Sequence, residues 1–268
     1  MMADIVFISH GGGPLPLLGD PSHQELVDTL TTLSTQIKKP KAIIVISAHW
    51  EANHVRITHQ KQPGLLYDYY GFPEASYAFK YPCEGAPELA EQIVKKLNAA
   101  NIAAELEEER GLDHGVFVPL TIMYPDADIP CIQLSLVNGL DPELHLKIGE
   151  VLNDTLAEDV LIIGSGFSFH NMRAFFSKDD PTHAQMNQSF EDWLAETCSS
   201  ANISEQDRKV RLQHWDEAPH ARYCHPREEH LLPLHVCYGA AGRACDAVYS
   251  LSILNKQASM YLWSTPGY

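Results

Sequence analysis

The chain has 268 residues, with 19 Lys+Arg against 35 Asp+Glu and a formal net charge of −16, so neither a nucleic-acid backbone nor an anionic membrane surface is expected as its main partner. With 45% hydrophobic and 20% charged residues it can bury a full core, and its length suits one large domain. The longest apolar runs, such as 42–47 and 160–163, fall far short of the roughly 20 residues that a membrane helix needs. The chain enters a strand-like run at Asp4-Ile5-Val6-Phe7-Ile8 with no basic stretch and no small-residue cleavage site before it, which predicts a cytoplasmic protein without a signal peptide.

Short β-branched runs alternate with longer amphipathic stretches, the pattern of an α/β domain. In chain order the sequence predicts a strand at 5–9, a helix at 22–38, a strand at 42–47, a helix at 86–99, a strand at 129–136, a helix at 142–156, a strand at 160–165 and a helix at 184–198. The helix that starts at Pro142 has Asp141 to cap it, Glu143 in its first turn, and Leu144, Ile148, Val151 and Leu152 on one apolar face. Residues 64–82 break the alternation: Tyr67, Tyr69, Tyr70, Phe72, Tyr77, Phe79 and Tyr81 share the segment with Gly64, Gly71, Pro73 and Pro82, which predicts a long aromatic loop. Such a loop either covers a pocket or fills a satellite core. The polar stretch 202–207 is the one hinge that composition suggests, and with no internal repeat a single domain, 1–268, is the simpler reading.

The six cysteines are scattered with no C-x-x-C pair, as expected of reduced structural thiols. The 14 histidines are the compositional anomaly. His10, His49 and His170 each follow a predicted buried strand, and in an open α/β sheet the carboxyl ends of the strands form the crevice where ligands bind. His10 precedes Gly11-Gly12-Gly13-Pro14, His49 lies in Ser47-Ala48-His49-Trp50, and His170 follows Gly164-Ser165-Gly166-Phe167-Ser168-Phe169. Asp113-His114-Gly115 forms a turn-like break before an apolar stretch.

In His225-Pro226-Arg227-Glu228-Glu229-His230, Pro226 suits the first position of a helix that Pro233 then kinks. Neighbouring helical residues point about 100° apart, so either Glu229 or His230 is expected as a ligand rather than both. Such a nitrogen-rich set suits zinc, iron, nickel or copper, and three protein ligands with open positions mark a catalytic site.

Other residues carry blander expectations. The charge run 105–110 reads as a solvated loop, and His54, His59, His183 and His214 as surface residues. His220 and His225 could reach the rim of a pocket, while Arg222 and Arg227 suit either a substrate carboxylate or a structural ion pair.

Taken together, these motifs resemble those of the extradiol aromatic ring-opening dioxygenases of the DOPA 4,5-dioxygenase type, in the class III superfamily that also holds protocatechuate 4,5-dioxygenase. The resemblance runs over nearly the whole chain. It rests on His10-Gly11-Gly12-Gly13-Pro14, Ser47-Ala48-His49-Trp50, Gly71-Phe72-Pro73, Leu112-Asp113-His114-Gly115, Tyr124-Pro125-Asp126-Ala127-Asp128-Ile129-Pro130, Gly164-Ser165-Gly166 with His170-Asn171, and Glu229-His230-Leu231-Leu232-Pro233-Leu234.

The resemblance implies a single α/β domain with a mainly parallel central sheet, helices on both faces, and a metal site at the carboxyl ends of the strands. It implies His10, His49 and His230 as metal ligands, His170 as a fourth ligand in a zinc-loaded resting form, and His114 and His170 as the acid–base pair. Fe(II) is the metal implied by the activity, and Zn(II) would also fit an all-histidine site. The implied partners are a small aromatic diol, DOPA-like or otherwise substituted, and O2. In the implied reaction His170 takes the second phenolic proton and His114 donates a hydrogen bond or a proton as the ring opens to a muconic semialdehyde.

Two rivals stand beside this reading. His10-Gly11-Gly12-Gly13 and Gly166-Phe167-Ser168 partly match the oxyanion loop and nucleophile elbow of a serine hydrolase, although His170 stands where the elbow needs its last glycine. A non-catalytic, metal-binding regulatory protein of the Memo type would keep the fold and lose the chemistry.

Overall fold

The computed structural model describes residues 4–154, 159–177 and 180–264. Eight strands among them form one sheet: β1 (Asp4–Ser9), β2 (Ala42–Ala52), β3 (Val55–Thr58), β4 (Ala104–Glu107), β5 (Cys131–Val137), β6 (Val160–Gly166), β7 (Ala247–Ile253) and β8 (Lys256–Trp263). Their spatial order is β4-β3-β5-β2-β6-β1-β8-β7. The central strands β5, β2, β6 and β1 run parallel, whereas β8 and β7 form an antiparallel hairpin at one edge. The run Ile43-Ile44-Val45-Ile46 and the run Leu161-Ile162-Ile163 are fully buried, as strands covered on both faces must be.

The helices are α1 (Gln24–Gln36), α2 (Pro87–Ala99), α3 (His114–Met123), α4 (Pro142–Asn153), α5 (Met172–Phe175), α6 (Pro181–Ser199), α7 (Glu205–Gln213), α8 (Ala221–Cys224) and α9 (Leu232–Ala241). Alternation along β6 sends its side chains to opposite layers. Ser165 meets the backbone of α3 on one face, and on the other a Cβ on Gly164 would meet Pro233 of α9. The chain is therefore a single α/β domain whose sheet is covered on both sides.

All four predicted strands and all four predicted helices are present. The predicted strand at 42–47 continues to Ala52, with its register against β5 shifting between Ile46 and Glu51. The Asp141 carboxylate caps α4 by accepting from the Glu143 amide at 2.9 Å, and the predicted end of that helix at 156 lies outside the described residues. The six cysteines are free and buried, and no described helix is long and apolar enough to cross a membrane.

Two expectations are corrected. The segment 202–207 is no hinge. Ser204 caps α7, and the buried Arg208 guanidinium donates to the carbonyls of Thr197, Ser200 and Ile203, which ties the segment down. No helix starts at Pro226 either, and Pro233 kinks nothing. Residues 226–231 form a turn, and Pro233 sits in the first turn of α9, where its missing N–H leaves no bond unmade.

Candidate metal centre

The carboxyl ends of β1 and β2 flank that of β6, so residues that follow these strands share one edge of the sheet. His10 leaves β1 with its amide bonded to Gly166 O at 2.9 Å, and His49 lies in the irregular stretch of β2. The turn before α9 delivers His230, whose carbonyl accepts from the Phe167 amide at 2.9 Å. The three rings form a triangle with centroid separations of 4.9 Å (His10–His49), 5.3 Å (His10–His230) and 4.9 Å (His49–His230). Their donor atoms all lie within 4.8 Å of one another. His114, the first residue of α3, stands 3.9 Å from His49, and His170 stacks on His230 at 3.4 Å and 13°. All five histidines singled out from the sequence thus meet in one place.

The donor chemistry fits a divalent transition-metal ion. Burial, reinforced by repulsion among neighbouring imidazoles, holds His10, His49 and His230 well below the ordinary histidine range, so they are neutral near pH 7. The Nε2 atoms of His10 and His49 face each other at 3.0 Å. Ser165 gives its hydroxyl proton to Gly115 O and accepts from His10 Nδ1 at 2.9 Å, so the free lone pair of His10 is on Nε2. Neutral imidazoles with converging lone pairs are suited to zinc or iron.

Sequence reasoning missed Asp68, and it considered Glu229 only as a ligand, not as a residue that holds these rings. Asp68 Oδ1 lies 2.7 Å from His114 Nδ1 and accepts the His114 amide at 3.0 Å, and Oδ2 is 3.7 Å from His49 Nδ1. Burial alone would raise the Asp68 carboxyl, but its hydrogen bonds from the ring and backbone N–H of His114 keep it below its ordinary value. Glu229 Oε1 lies 3.2 Å from His230 Nδ1 and 3.3 Å from His170 Nδ1. Glu229 and His230 occupy a turn rather than the expected helix, and of the two it is His230 that joins the triangle with His10 and His49, while Glu229 lies on its Nδ1 side.

Behind His49, the buried Asp113 accepts from Ser47 Oγ at 2.7 Å and from Arg110 Nη2 at 3.2 Å, and the same guanidinium nitrogen donates to His49 O at 3.1 Å. Arg110 therefore braces the site from the end of the run 105–110, and Glu105 to Glu107 belong to β4, so only the exposed Glu108 and Glu109 of that run form a solvated loop. An acid placed among the tyrosines of the aromatic loop was the one signal in the sequence that could have pointed to Asp68.

The remaining expectations divide. The loop 64–82 is largely irregular: Tyr69 is buried against Phe117, as a satellite core requires, and stands 5.8 Å from His114, whereas Tyr70 is 91% exposed. His225 does not reach a rim. It is fully buried, with Nε2 donating to Ser168 O at 2.6 Å and its pKa pushed down to about 3 by burial. Arg222 pairs with Glu228 at 2.6 Å, and Arg227 makes a forked pair with Glu51 at 2.6 and 2.5 Å. Arg227 also lines a cleft of ≈ 460 Å³ with His170, Met172, Arg173 and Glu229. Ser168, where a hydrolase would need its nucleophile, is fully buried with Oγ bound by the Ser259 amide at 2.8 Å.

The family described as the catalytic LigB subunit of aromatic ring-opening dioxygenase matches residues 4–263. The chain is 39% identical over 244 residues to the 4,5-DOPA dioxygenase extradiol of Beta vulgaris, covering 90% of this chain and 88% of that one. It is 37% identical over 257 residues to the dioxygenase tasH of Hapsidospora irregularis, covering 90% and 78%. A crystal structure of an uncharacterized protein from Escherichia coli K12 superposes with a TM-score of 0.76 at 27% identity, covering 98% of this chain and 100% of that one. With five imidazoles gathered at the sheet edge and a family match over almost its whole length, the chain belongs to the class III extradiol dioxygenases, enzymes that open aromatic rings.

Proposed function

We propose that this enzyme cleaves a catechol, DOPA-like or otherwise substituted, with O2 to a muconic semialdehyde, using one divalent metal held by His10, His49 and His230. The observation that carries the reading is the triangle of three neutral imidazoles, two of them buried, at the sheet edge. Bound Fe(II) supplies the redox chemistry that couples the diol to O2, which Zn(II) in the same ligands does not.

The protein side chains do the rest. His170 is the base for the second phenolic proton: it opens onto the cleft, and the Glu229 carboxylate beside its Nδ1 stabilises the cation that results. Its ring stacks on that of His230 at 3.4 Å, and beside His10, His49 and His230 it is the residue that would supply a fourth nitrogen were Zn(II) bound. His114 is the proton donor, held by Asp68 through Nδ1 and placed beside His49. Tyr69, next to His114, walls the space for the aromatic ring.

The test strips the protein of metal, reloads it anaerobically with Fe(II), and follows oxygen uptake with DOPA, protocatechuate and simple catechols. The expected result is uptake with a yellow product, absent from zinc-loaded protein and reduced by about 10²–10⁴-fold in His114→Ala. Stoichiometric metal without uptake on any catechol would overturn the reading.

A further inference from the structure

Beyond the ligands and the acid–base pair, we propose that Asp68 and Glu229 are paired positioning residues, each carboxylate shared between one histidine of the metal triad and one of the acid–base pair. Asp68 serves His49 and His114, and Glu229 serves His230 and His170. The inference rests on the roles given to those histidines under Proposed function. Its physical content is the control of imidazole tautomers.

An ionised carboxylate only accepts hydrogen bonds. A ring nitrogen that hydrogen-bonds to one must carry the proton, and in a neutral ring the opposite nitrogen then keeps its lone pair. Asp68 Oδ1 is 2.7 Å from His114 Nδ1, Asp68 Oδ2 is 3.7 Å from His49 Nδ1, and Glu229 Oε1 is 3.2 and 3.3 Å from Nδ1 of His230 and His170. The fifth ring, His10, turns its Nδ1 to Ser165 Oγ at 2.9 Å. Nδ1 of His10, His114, His170 and His230 thus lies within 3.3 Å of an oxygen and that of His49 at the longer, purely electrostatic distance of 3.7 Å, which leaves each Nε2 for the centre.

Asp68 and Glu229 side chains are only 17% and 13% exposed, so water competes poorly for these contacts. Outer carboxylates of this kind orient ligand histidines and strengthen their donor nitrogens. Sharing one carboxylate adds a second effect, because displacing either group disturbs a ligand and an acid–base residue together.

An amide of the same shape distinguishes this role from simple packing. In Asp68→Asn the single oxygen is kept by His114, which offers both its ring N–H and its backbone N–H. The new NH2 then faces His49 Nδ1 and favours the tautomer with its proton on Nε2, which cannot bind metal. In Glu229→Gln the oxygen is drawn to Arg227, 3.5 Å from Oε2, and the NH2 turns toward His230 and His170.

The test records nitrogen-15 resonances of the histidine rings in metal-free protein and measures Zn(II) affinity by competition with a chromogenic chelator, with far-UV circular dichroism as the control for folding. The expected result is protons on Nδ1 in the unaltered protein, a tautomer change at His49 in Asp68→Asn, and Zn(II) affinity lower by about 10–100-fold. Should Asp68→Asn not fold, Glu229→Gln carries the same expectation for His230 and His170. Folded variants with unchanged tautomers and unchanged zinc affinity would overturn the inference. Neither readout uses a catechol, so a tautomer change in a protein that takes up no oxygen would uphold the positioning role and count only against the proposed reaction.

Discussion

At the scale of single residues, the position of His230 depends on an atom that Gly166 lacks. A Cβ there would sit 2.1 Å from His230 O, closer than any side chain tolerates, while the next residue donates its amide to that same oxygen at 2.9 Å. Gly166→Ala must push the turn that carries His230 away from β6. The expected outcome is a loss of bound metal together with a destabilisation of roughly 1–3 kcal/mol or more, measured by metal analysis and urea unfolding. Gly115 plays the matching part opposite: a Cβ would come 2.7 Å from Ser47 Oγ and 3.2 Å from His49 Cδ2, so only glycine lets α3 close over His49. His225 illustrates the converse, a histidine near the centre in sequence whose burial makes it a structural hydrogen-bond donor.

Among the elements, α4 and α9 cross with almost no space between their backbones. A Cβ on Gly149 would lie 2.1 Å from Val236 O, and one on Gly239 would lie 2.1 Å from Leu146 O. Because α9 begins two residues after His230, this contact sets the platform for a ligand. Gly149→Ala is expected to destabilise by on the order of 3 kcal/mol and to lower metal affinity as α9 shifts, seen by denaturation and chelator competition.

Between α6 and β8, Glu191 is buried and accepts from Ser259 Oγ at 2.6 Å, and burial pushes its pKa up to about 7. Its folded-state value lies above that of the unfolded chain, so the unfolded state releases this proton first as pH rises from about 4.5. Stability therefore drains away between about pH 4.5 and 7 through this residue. Glu191→Gln should gain thermal stability relative to the unaltered protein progressively across that window, and a difference that does not vary with pH would contradict it.

For the whole molecule, the buried histidines act with the opposite sign. His10, His49 and His230 lie well below the ordinary value, chiefly through burial, and His225 and His235 lie at about 3 and about 4. Below about pH 6.5 the unfolded chain takes up protons that the folded chain refuses, so their contribution is complete above that pH and is lost on acidification. Metal-free protein is expected to show urea midpoints that fall as pH drops from about 6.5 toward 5. Metal bound to the folded state alone adds about 2.7 kcal/mol at one hundred times its dissociation constant, which a thermal shift on adding Zn(II) should register.

Sequence alone determined the α/β class, the four central strands and the histidines that converge, because long β-branched runs, the strand-end placement of His10, His49 and His170, and the short motifs around His114 and His230 are local signals. Helix α3 stayed hidden and α9 was given too early a start for a physical reason: α9 is buried at every position and α3 at all but two, so neither has a polar face to give a helical period. The strands β3 and β4 are four residues each, and the β7–β8 hairpin turns at Leu254 and Asn255 with φ of 52° and 59° but no glycine to mark it. Asp68 takes its partners from outside its own local pattern, as Arg110 does with His49, and Glu229 joins the distant His170 to its neighbour His230. Only tertiary structure decided these, since a carboxylate becomes a positioning group through the imidazoles that packing brings to it, and no spacing along the chain records that distance.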